Sequence, residues 1–286
     1  MRSEAGGRYW PAPAKLNRFL HVTGRRADGY HELQTLFQLL DWGDEIGIEA
    51  TGEPSVTRLT EVAGLPAGED LIVRAALLLQ RETSSRRGAR LRIRKRVPMG
   101  AGLGGGSSDA ATVLLVLNRL WGCGLSVSEL AALGARLGAD VPVFIHGDTA
   151  LATGVGERLE PLSLGPRHYV LVFPGIAIST REVFADPGLR RDSPPLARAE
   201  AIAGVGRNDC AEVVFRRYPA VARAADAVSR WGRPLLTGTG STLFLEMDSR
   251  EQAIRATHQM KNLYNVRAVS GVDRSPLHQM LEQSGA

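Results

Sequence analysis

The spacing of apolar and polar residues predicts both strands and helices in this chain. Between Leu91 and Val97, apolar residues alternate with arginine and lysine, which is the period of a half-buried strand. Residues 110–118 are mostly apolar and predict a buried helix. Another helix is expected after Leu125, because Ser126 and Glu129 have the spacing of a capping box.

The second half of the chain has a definite order of predicted elements. These are a strand at 169–173, helices at 209–217 and 220–231, paired strands around 237–240, a helix at about 250–261 and a strand at 265–269. The prolines and glycine of residues 186–195 predict a loop. The order strand–helix–strand–strand–helix–strand is ferredoxin-like. We therefore expect an α+β fold with a second domain in this half.

Five glycines lie between the predicted strand and helix of the first half. Glycine lets the backbone approach a ligand closely, and the helix that follows offers free N–H groups and the positive end of its dipole. This arrangement favours a phosphate site. The alternative is a flexible loop with a serine cap, because Ser107 and Ser108 suit an N-cap as well as a phosphate or a magnesium ion. The residues predicted to bind the phosphates are Pro98, Met99, Gly100, Ala101, Gly102, Leu103, Gly104, Gly105, Gly106, Ser107 and Ser108.

Three common phosphate-binding classes do not fit this loop. A Walker A loop ends in Gly-Lys-Ser/Thr, and no lysine follows these glycines. A dinucleotide-binding fold needs a second strand ending in an acidic residue roughly 20 positions later, where this chain has a helix start. The His-Arg-Asp and Asp-Phe-Gly elements of protein kinases do not occur.

Composition is that of a globular protein. The chain has 286 residues, of which 44% are hydrophobic and 23% charged, values close to the globular average. Its aliphatic runs are too short to span a bilayer, and residues 1–10 lack the apolar stretch of a secretory signal. The two cysteines form no Cys-x-x-Cys pair, so neither a disulfide framework nor a zinc site is indicated. We expect a cytoplasmic protein with no membrane partner.

The net charge of +5 raises the question of nucleic-acid binding. Basic residues concentrate on one side of the predicted strand, at Arg90, Arg92, Arg94 and Arg96. No aromatic residues are interleaved with them, as an RNA-binding surface would require. We interpret this side as a solvated sheet face and expect no nucleic-acid partner.

Several motifs together resemble the GHMP kinase superfamily, and the likeness runs from about residue 13 to residue 281. They are Pro13-Ala-Lys-Leu-Asn17, Arg26-Ala-Asp-Gly-Tyr-His31, the glycine loop, Leu137-Gly-Ala-Asp-Val-Pro142 and Leu236-Thr-Gly-Thr-Gly240. The resemblance implies a two-domain fold. Residues 1–165 would form a domain like the second domain of ribosomal protein S5, and residues 166–286 a ferredoxin-like domain.

The Ala-Asp-Gly-Tyr-His block is typical of those members that act on 4-diphosphocytidyl-2-C-methyl-D-erythritol in the non-mevalonate isoprenoid route. The resemblance implies transfer of the γ-phosphoryl group of ATP to the 2-hydroxyl of that small molecule. Mg²⁺ is implied, with Ser107 or Ser108 as candidate ligand, and the chain would be a monomer or a weak homodimer. The alternatives are another GHMP kinase, acting on a sugar, homoserine or mevalonate, and a non-catalytic basic nucleotide- or RNA-binding module.

Two residues carry the chemistry that the resemblance implies. By spacing alone, Asp140 suits the N-cap of a short helix and Lys15 suits a surface position. In the superfamily the matching aspartate is the proposed catalytic base, and backbone N–H groups at a cap would hold it in place. The matching lysine lies beside it and would stabilise developing negative charge. Phosphoryl transfer depends largely on such positioning and charge neutralisation.

The resemblance also implies how the substrate is bound. Tyr30 and Phe184 match two aromatic residues that sandwich the cytosine ring, and His31 matches a residue that contacts the edge of the base, largely through its backbone. Asn17 and Thr180 match residues near the sugar alcohol. Three positions depart from the pattern: Asp70 where asparagine is frequent, Arg181 where a small or cyclic residue is common, and Ser241 in place of alanine.

Overall fold

The computed structural model describes residues 8–284, so most of the N-terminal segment judged above for a secretory signal lies outside the described residues. The strands are β1 (Arg8–Arg25), β2 (His31–Thr51), β3 (Val56–Arg58), β4 (Gly88–Arg94), β5 (Ala150–Gly154), β6 (Arg158–Pro161), β7 (Arg167–Phe173), β8 (Leu235–Leu236), β9 (Leu243–Met247) and β10 (Asn265–Val272). The helices are α1 (Leu71–Thr83), α2 (Gly105–Trp121), α3 (Val127–Ala135), α4 (Val141–His146), α5 (Thr180–Ala185), α6 (Arg198–Ile202), α7 (Cys210–Arg217), α8 (Pro219–Val228), α9 (Arg250–Met260) and α10 (Pro276–Gln283). Short 3₁₀ turns occur at Ala67–Glu69 and Ser229–Trp231. No helix within these residues is long and apolar enough to cross a membrane.

The described strands form one sheet that runs through both halves of the chain. Its main path is β3-β4-β2-β10-β7-β9-β8, and β1 and β5 also pair with β2. In the second half, β7 is followed by helices, β8, β9, α9 and β10, which confirms the predicted ferredoxin-like order. The capping box predicted at Ser126 and Glu129 begins α3, as expected.

The end of the chain connects the two halves. β10 pairs with β7 over most of its length, and its last residues pair with β2 at Leu40 and Leu39. After β10, α10 packs on the first half, where Leu277 joins the same apolar core as α1 and α2. The guanidinium of Arg119 in α2 donates to the carbonyl oxygens of Leu281 and Ser284. The division at residue 165 stays a prediction, since the last strand and helix contact both sides of it.

Burial explains why α2 is held firmly. Every residue from Ser108 to Leu117 is buried, so this part of the helix has protein on all sides. It packs against α1, α4, β1 and β2. Its N-terminal end therefore occupies a fixed place, which positions the glycine loop that precedes it.

The basic residues of β4 lie where the sequence predicted them. Arg90 and Arg94 are exposed, and the register places them opposite Glu49 and Glu45 of β2. Their guanidinium groups lie 3.2 and 3.5 Å from those carboxylates. The prediction of a solvated sheet face is confirmed, and on that face acidic residues of the neighbouring strand accompany the arginines.

Candidate active site

A cavity of about 500 Å³ lies where the glycine loop meets β1, α4 and α5. Its wall contains most of the residues that the sequence singled out, namely Lys15, Asn17, residues 98–107, Asp140, Thr180 and Phe184. Three predicted residues, Ser108, Tyr30 and His31, are not part of this wall. The cavity brings together groups that are up to 224 positions apart in the sequence, from Lys15 to Thr239.

The glycine loop ends at Gly104, which is the N-cap of α2. Gly104 has φ 70° and its cap has no side-chain hydrogen bond, so the alternative of a serine cap does not hold. Ser107 instead lies in the first turn of the helix. The first intrahelical bond runs from the Ser108 N–H to the Gly104 oxygen, 2.9 Å. The N–H groups of Gly105, Gly106 and Ser107 therefore have no helical partner and are available to an anion.

The second half of the chain holds the loop in place. The N–H of Ile178 donates to the Gly100 oxygen and the N–H of Thr242 to the Ala101 oxygen, each at 3.3 Å. Gly102 has φ 76°, and a Cβ there would collide with the carbonyl oxygen of Thr237. Only glycine allows this close approach of two backbones. The loop is thus clamped between α2 and the glycine-rich turn before β9.

Lys15 and Asp140 form an ion pair in the cavity wall. The Lys15 ammonium lies 3.1 Å from Asp140 Oδ2, 2.6 Å from Asn17 Oδ1 and 3.3 Å from the Gly102 oxygen. The Lys15 side chain is 4% exposed and that of Asp140 is 33% exposed. The ammonium is therefore a fixed buried charge, whereas the carboxylate can be reached from the cavity. Asn17 is fixed in turn, because its amide donates to Thr35 Oγ1 at 2.9 Å.

Asp140 does not cap a helix through its side chain. It precedes α4, as predicted, but its carboxylate makes no cap hydrogen bond. The expectation that backbone N–H groups hold this carboxylate is therefore wrong, and Lys15 holds it instead. The cap interpretation loses its support, while the pairing with Lys15 that the family resemblance implied is present.

The predicted substrate residues are only partly assembled. Thr180 Oγ1 lies 2.9 Å from Thr239 Oγ1, and both residues line the cavity. The rings of His31 and Phe184 lie 5.2 Å apart at 31° to one another. Tyr30, in the turn between β1 and β2, is 64% exposed. The structure thus brings His31 against Phe184 and leaves the Tyr30 side chain in solvent.

Sequence reasoning missed a buried ionic cluster beside the loop. Lys95 Nζ lies 2.6 Å from Asp44 Oδ2 and 2.8 Å from Asp109 Oδ2, and both Lys95 and Asp109 line the cavity. Burial raises the pKa of Asp109 well above its usual range, although Lys95 opposes this shift. Burial works to lower the pKa of Lys95, but the two carboxylates outweigh it and raise that pKa. The available signal was the position of Lys95, which shares the apolar side of its strand with Leu91 and Ile93.

The departures from the family pattern have local explanations in two of three cases. Asp70 Oδ1 accepts from the Ile72 N–H at 3.1 Å and so caps α1, while Oδ2 pairs with buried Arg58 at 2.7 Å. The Ser241 hydroxyl donates to the Ile176 oxygen. Arg181 is exposed, and nothing in the structure explains it.

Comparison with known proteins places this arrangement in a family. Residues 70–148 match the model for the GHMP kinases N terminal domain. The 4-diphosphocytidyl-2-C-methyl-D-erythritol kinase of Nitrosococcus oceani is 49% identical over 276 residues, which are 96% of this chain and 99% of that protein. A crystal structure of 4-(cytidine 5'-diphospho)-2C-methyl-D-erythritol kinase has a TM-score of 0.81 and 36% identity, covering 92% of this chain and 99% of its own. The mevalonate kinase of Methanococcus jannaschii shares the fold, with a TM-score of 0.63 at 15% identity over 96% of this chain and 99% of its own.

Proposed function

Because the chain belongs to the 4-diphosphocytidyl-2-C-methyl-D-erythritol kinases of the GHMP kinase superfamily, we propose that it phosphorylates that alcohol. It is an ATP-dependent kinase that transfers the γ-phosphoryl group to the 2-hydroxyl, giving ADP and the 2-phosphate. The reaction belongs to the non-mevalonate synthesis of isoprenoid precursors. The observation that carries the proposal is the Lys15–Asp140 pair, 3.1 Å apart, in a cavity walled by the glycine loop.

Each part of the cavity has a role in this reaction. The free N–H groups at the start of α2 bind the phosphates of ATP. Asp140, reachable from the cavity, accepts the proton of the substrate hydroxyl as it attacks. Lys15 keeps this carboxylate in position and stabilises the negative charge that develops on the transferred group. Asn17 fixes Lys15, since its Oδ1 accepts from the ammonium.

Mg²⁺ fits this site as a companion of the nucleotide. Residues 8–284 contain no group of three or more His, Cys, Asp or Glu side chains that could hold a metal ion. The Ser108 hydroxyl is buried without a hydrogen-bond partner, immediately after the cavity residue Ser107. Of the two candidate serines, Ser108 would hold the ion through this hydroxyl, together with phosphate oxygens and water. The ion would neutralise the phosphate oxygens.

The substrate residues extend the proposal to the base and the sugar alcohol. Phe184 offers an aromatic face, and Tyr30, exposed in the free protein, would cover the opposite side of the cytosine ring. His31 lies against Phe184 and contacts the edge of the base. Asn17 and Thr180 contact the sugar alcohol, next to the carboxylate of Asp140. A cytoplasmic location and a monomeric or weakly dimeric state remain predictions.

The test is stoichiometric ADP release by the purified protein with a panel of alcohols. The panel contains the cytidine diphosphate-linked alcohol, the same alcohol without its nucleotide, galactose, homoserine and mevalonate. We expect turnover with the first compound alone, and CMP should compete with it but not with ATP. Equal turnover of the alcohol without its nucleotide would move the protein elsewhere in the superfamily. Tight ATP binding without any turnover would favour a non-catalytic nucleotide-binding module.

A further inference from the structure

Thr35 lines the cavity and connects two residues of β1. It lies in β2 and is 1% exposed. Its hydroxyl donates to the carbonyl oxygen of Phe19 and accepts from the Asn17 amide at 2.9 Å. Phe19 lies in a bulge of β1, where the pairing with β2 shifts between Asn17 and Leu20. Such bulges re-aim side chains beside active sites, and this one supplies the carbonyl group that Thr35 binds.

The hydroxyl of Thr35 determines which way the Asn17 amide points. A threonine hydroxyl has one hydrogen, and the Phe19 carbonyl oxygen can only accept it. Toward Asn17 the Thr35 oxygen is therefore an acceptor, and the amide must present its NH₂ group there. Its Oδ1 then faces the Lys15 ammonium, 2.6 Å away, which can only donate. Both neighbours of the Asn17 side chain thus require the same orientation.

Asn17 Oδ1 is one of three acceptors that surround the Lys15 ammonium. The others are Asp140 Oδ2 at 3.1 Å and the Gly102 oxygen at 3.3 Å. An ammonium has three N–H donors, which matches these three acceptors. The contact with Asn17 is the shortest of them. The position of the ammonium relative to the Asp140 carboxylate therefore depends on where Asn17 holds its oxygen.

We propose that Thr35 is a positioning residue for phosphoryl transfer, because it sets the orientation of Asn17 and thereby the place of the Lys15 ammonium. The inference rests on the proposed function, since it takes Lys15 and Asp140 to carry the chemistry. Without the Thr35 hydroxyl, the NH₂ group of Asn17 loses its partner in a residue that is 2% exposed. A buried donor without an acceptor is costly. The Asn17 side chain then turns and takes Oδ1 away from Lys15.

A threonine with similar hydrogen bonds outside the cavity wall provides the matched control. Thr149 is fully buried, and its hydroxyl accepts from Gln38 Nε2 at 3.1 Å and donates to the carbonyl oxygen of Val272 at 2.8 Å. Thr35→Val and Thr149→Val each remove a buried hydroxyl at nearly constant volume, so both should lower the midpoint of urea unfolding. Only Thr35→Val should lower kcat, by about tenfold, the effect of one hydrogen bond. The KM for ATP should stay unchanged in both variants.

Thr35→Ser separates the hydrogen bonds of Thr35 from its packing. Serine keeps the hydroxyl and removes a buried methyl group, so this variant should lose stability and keep the wild-type kcat. An equal loss of kcat in Thr35→Ser and Thr35→Val would show that packing matters and the hydroxyl does not. That result would overturn the proposal, and so would a tenfold loss of kcat in Thr149→Val.

A double variant tests whether Thr35 acts through Asn17. If it does, adding Thr35→Val to Asn17→Ala should lower kcat no further. Additive losses of kcat would overturn the inference. A neutron crystal structure of the wild-type protein locates the hydrogens and needs no variant to fold. We expect the Asn17 NH₂ group on the side of Thr35, and an amide oxygen on that side would contradict the proposal.

Failure of the proposed function is distinguishable from failure of this inference. If the wild-type protein does not turn over the cytidine substrate, the function is wrong. If it does and Thr35→Val keeps the wild-type kcat, only the role of Thr35 is wrong.

Discussion

Replacing Gly104 by alanine should displace Lys15, the proposed catalytic lysine, because the two residues lie side by side, and the chain offers a matched control. Gly104 at the start of α2 and Gly122 at its end both have φ 70°. Alanine at either position pays the left-handed backbone cost of about 1–2 kcal/mol. A Cβ on Gly104 would lie 2.9 Å from Phe144 Cζ and 3.0 Å from Lys15 Cε, whereas a Cβ on Gly122 meets nothing within 4 Å.

The difference between the two variants measures the contact with Phe144 and Lys15. Phe144 is 2% exposed and cannot turn into solvent, so the added methyl group overpacks the site at a cost of about 1–3 kcal/mol. Gly104→Ala should therefore lose about 2–5 kcal/mol of stability, against about 1–2 kcal/mol for Gly122→Ala. A displaced Lys15 also changes the 3.1 Å contact with Asp140. We expect kcat to fall about 10–100-fold in Gly104→Ala alone, the scale of a small misplacement.

Urea unfolding of both variants gives the free energies, and ADP release with the cytidine substrate gives kcat. Circular dichroism before the assay confirms that each variant is folded. Equal losses of stability in the two variants would show that the loop does not pack on Lys15 and Phe144 as described. A wild-type kcat in Gly104→Ala would refute the link between the glycine loop and the proposed catalytic role of Lys15.

Three further predictions concern single side chains. Asp140→Asn should lower kcat by ~10²-fold or more, the range for a lost general base, with ATP binding retained in calorimetry; near wild-type turnover would exclude Asp140 as the base. Tyr30→Ala and Phe184→Ala should each weaken binding of the cytidine substrate by ~1–3 kcal/mol, with ATP affinity unchanged. Because both side chains would contact the same cytosine ring, their effects should not add. An undiminished substrate affinity in both variants would exclude stacking of the cytosine between them. Burial, with a smaller effect of the neighbouring Asp209 carboxylate, raises the pKa of the Cys210 thiol to about 12. A thiol reagent should therefore modify only the partly exposed Cys123 in the native protein, and both cysteines after denaturation. Rapid labelling of Cys210 in the native Cys123→Ser variant would contradict its burial.

Local patterns were sufficient for many elements of this fold. The alternation of residues 91–97 predicted a strand, and β4 lies there as far as Arg94. The apolar run of 110–118 predicted a helix, and it lies within α2. The sequence left the start of α2 open, because Ser107 and Ser108 suit an N-cap by residue type, whereas in the structure a left-handed glycine occupies that position. The preference of a residue type for the N-cap cannot decide between the serines and Gly104, since the choice depends on which residue lies against Phe144 and Lys15.

Contacts between distant residues explain what the sequence could not provide. The pairing of Lys15 with Asp140 followed from the family resemblance and not from spacing, which favoured a surface lysine and a cap. Thr35 lies 18 positions from Asn17, and no local pattern relates the two. Lys95 was not singled out from the sequence, although its position in the alternation belongs to the apolar side of the strand. In each case the tertiary arrangement gives an ordinary polar residue its particular partner.

The position of β10 and α10 late in the sequence has a consequence for folding during synthesis on the ribosome. The half that carries the glycine loop needs β10 beside β2 and α10 against its core, and both are translated after all the other described elements. On the ribosome this half can collapse early but cannot complete its packing until β10 and α10 have emerged, contrary to the usual sequential order of domain folding. A nascent chain stalled before residue 265 would expose the edge of β2 and the apolar surface that Leu277 covers, and would be a substrate for chaperones and proteases.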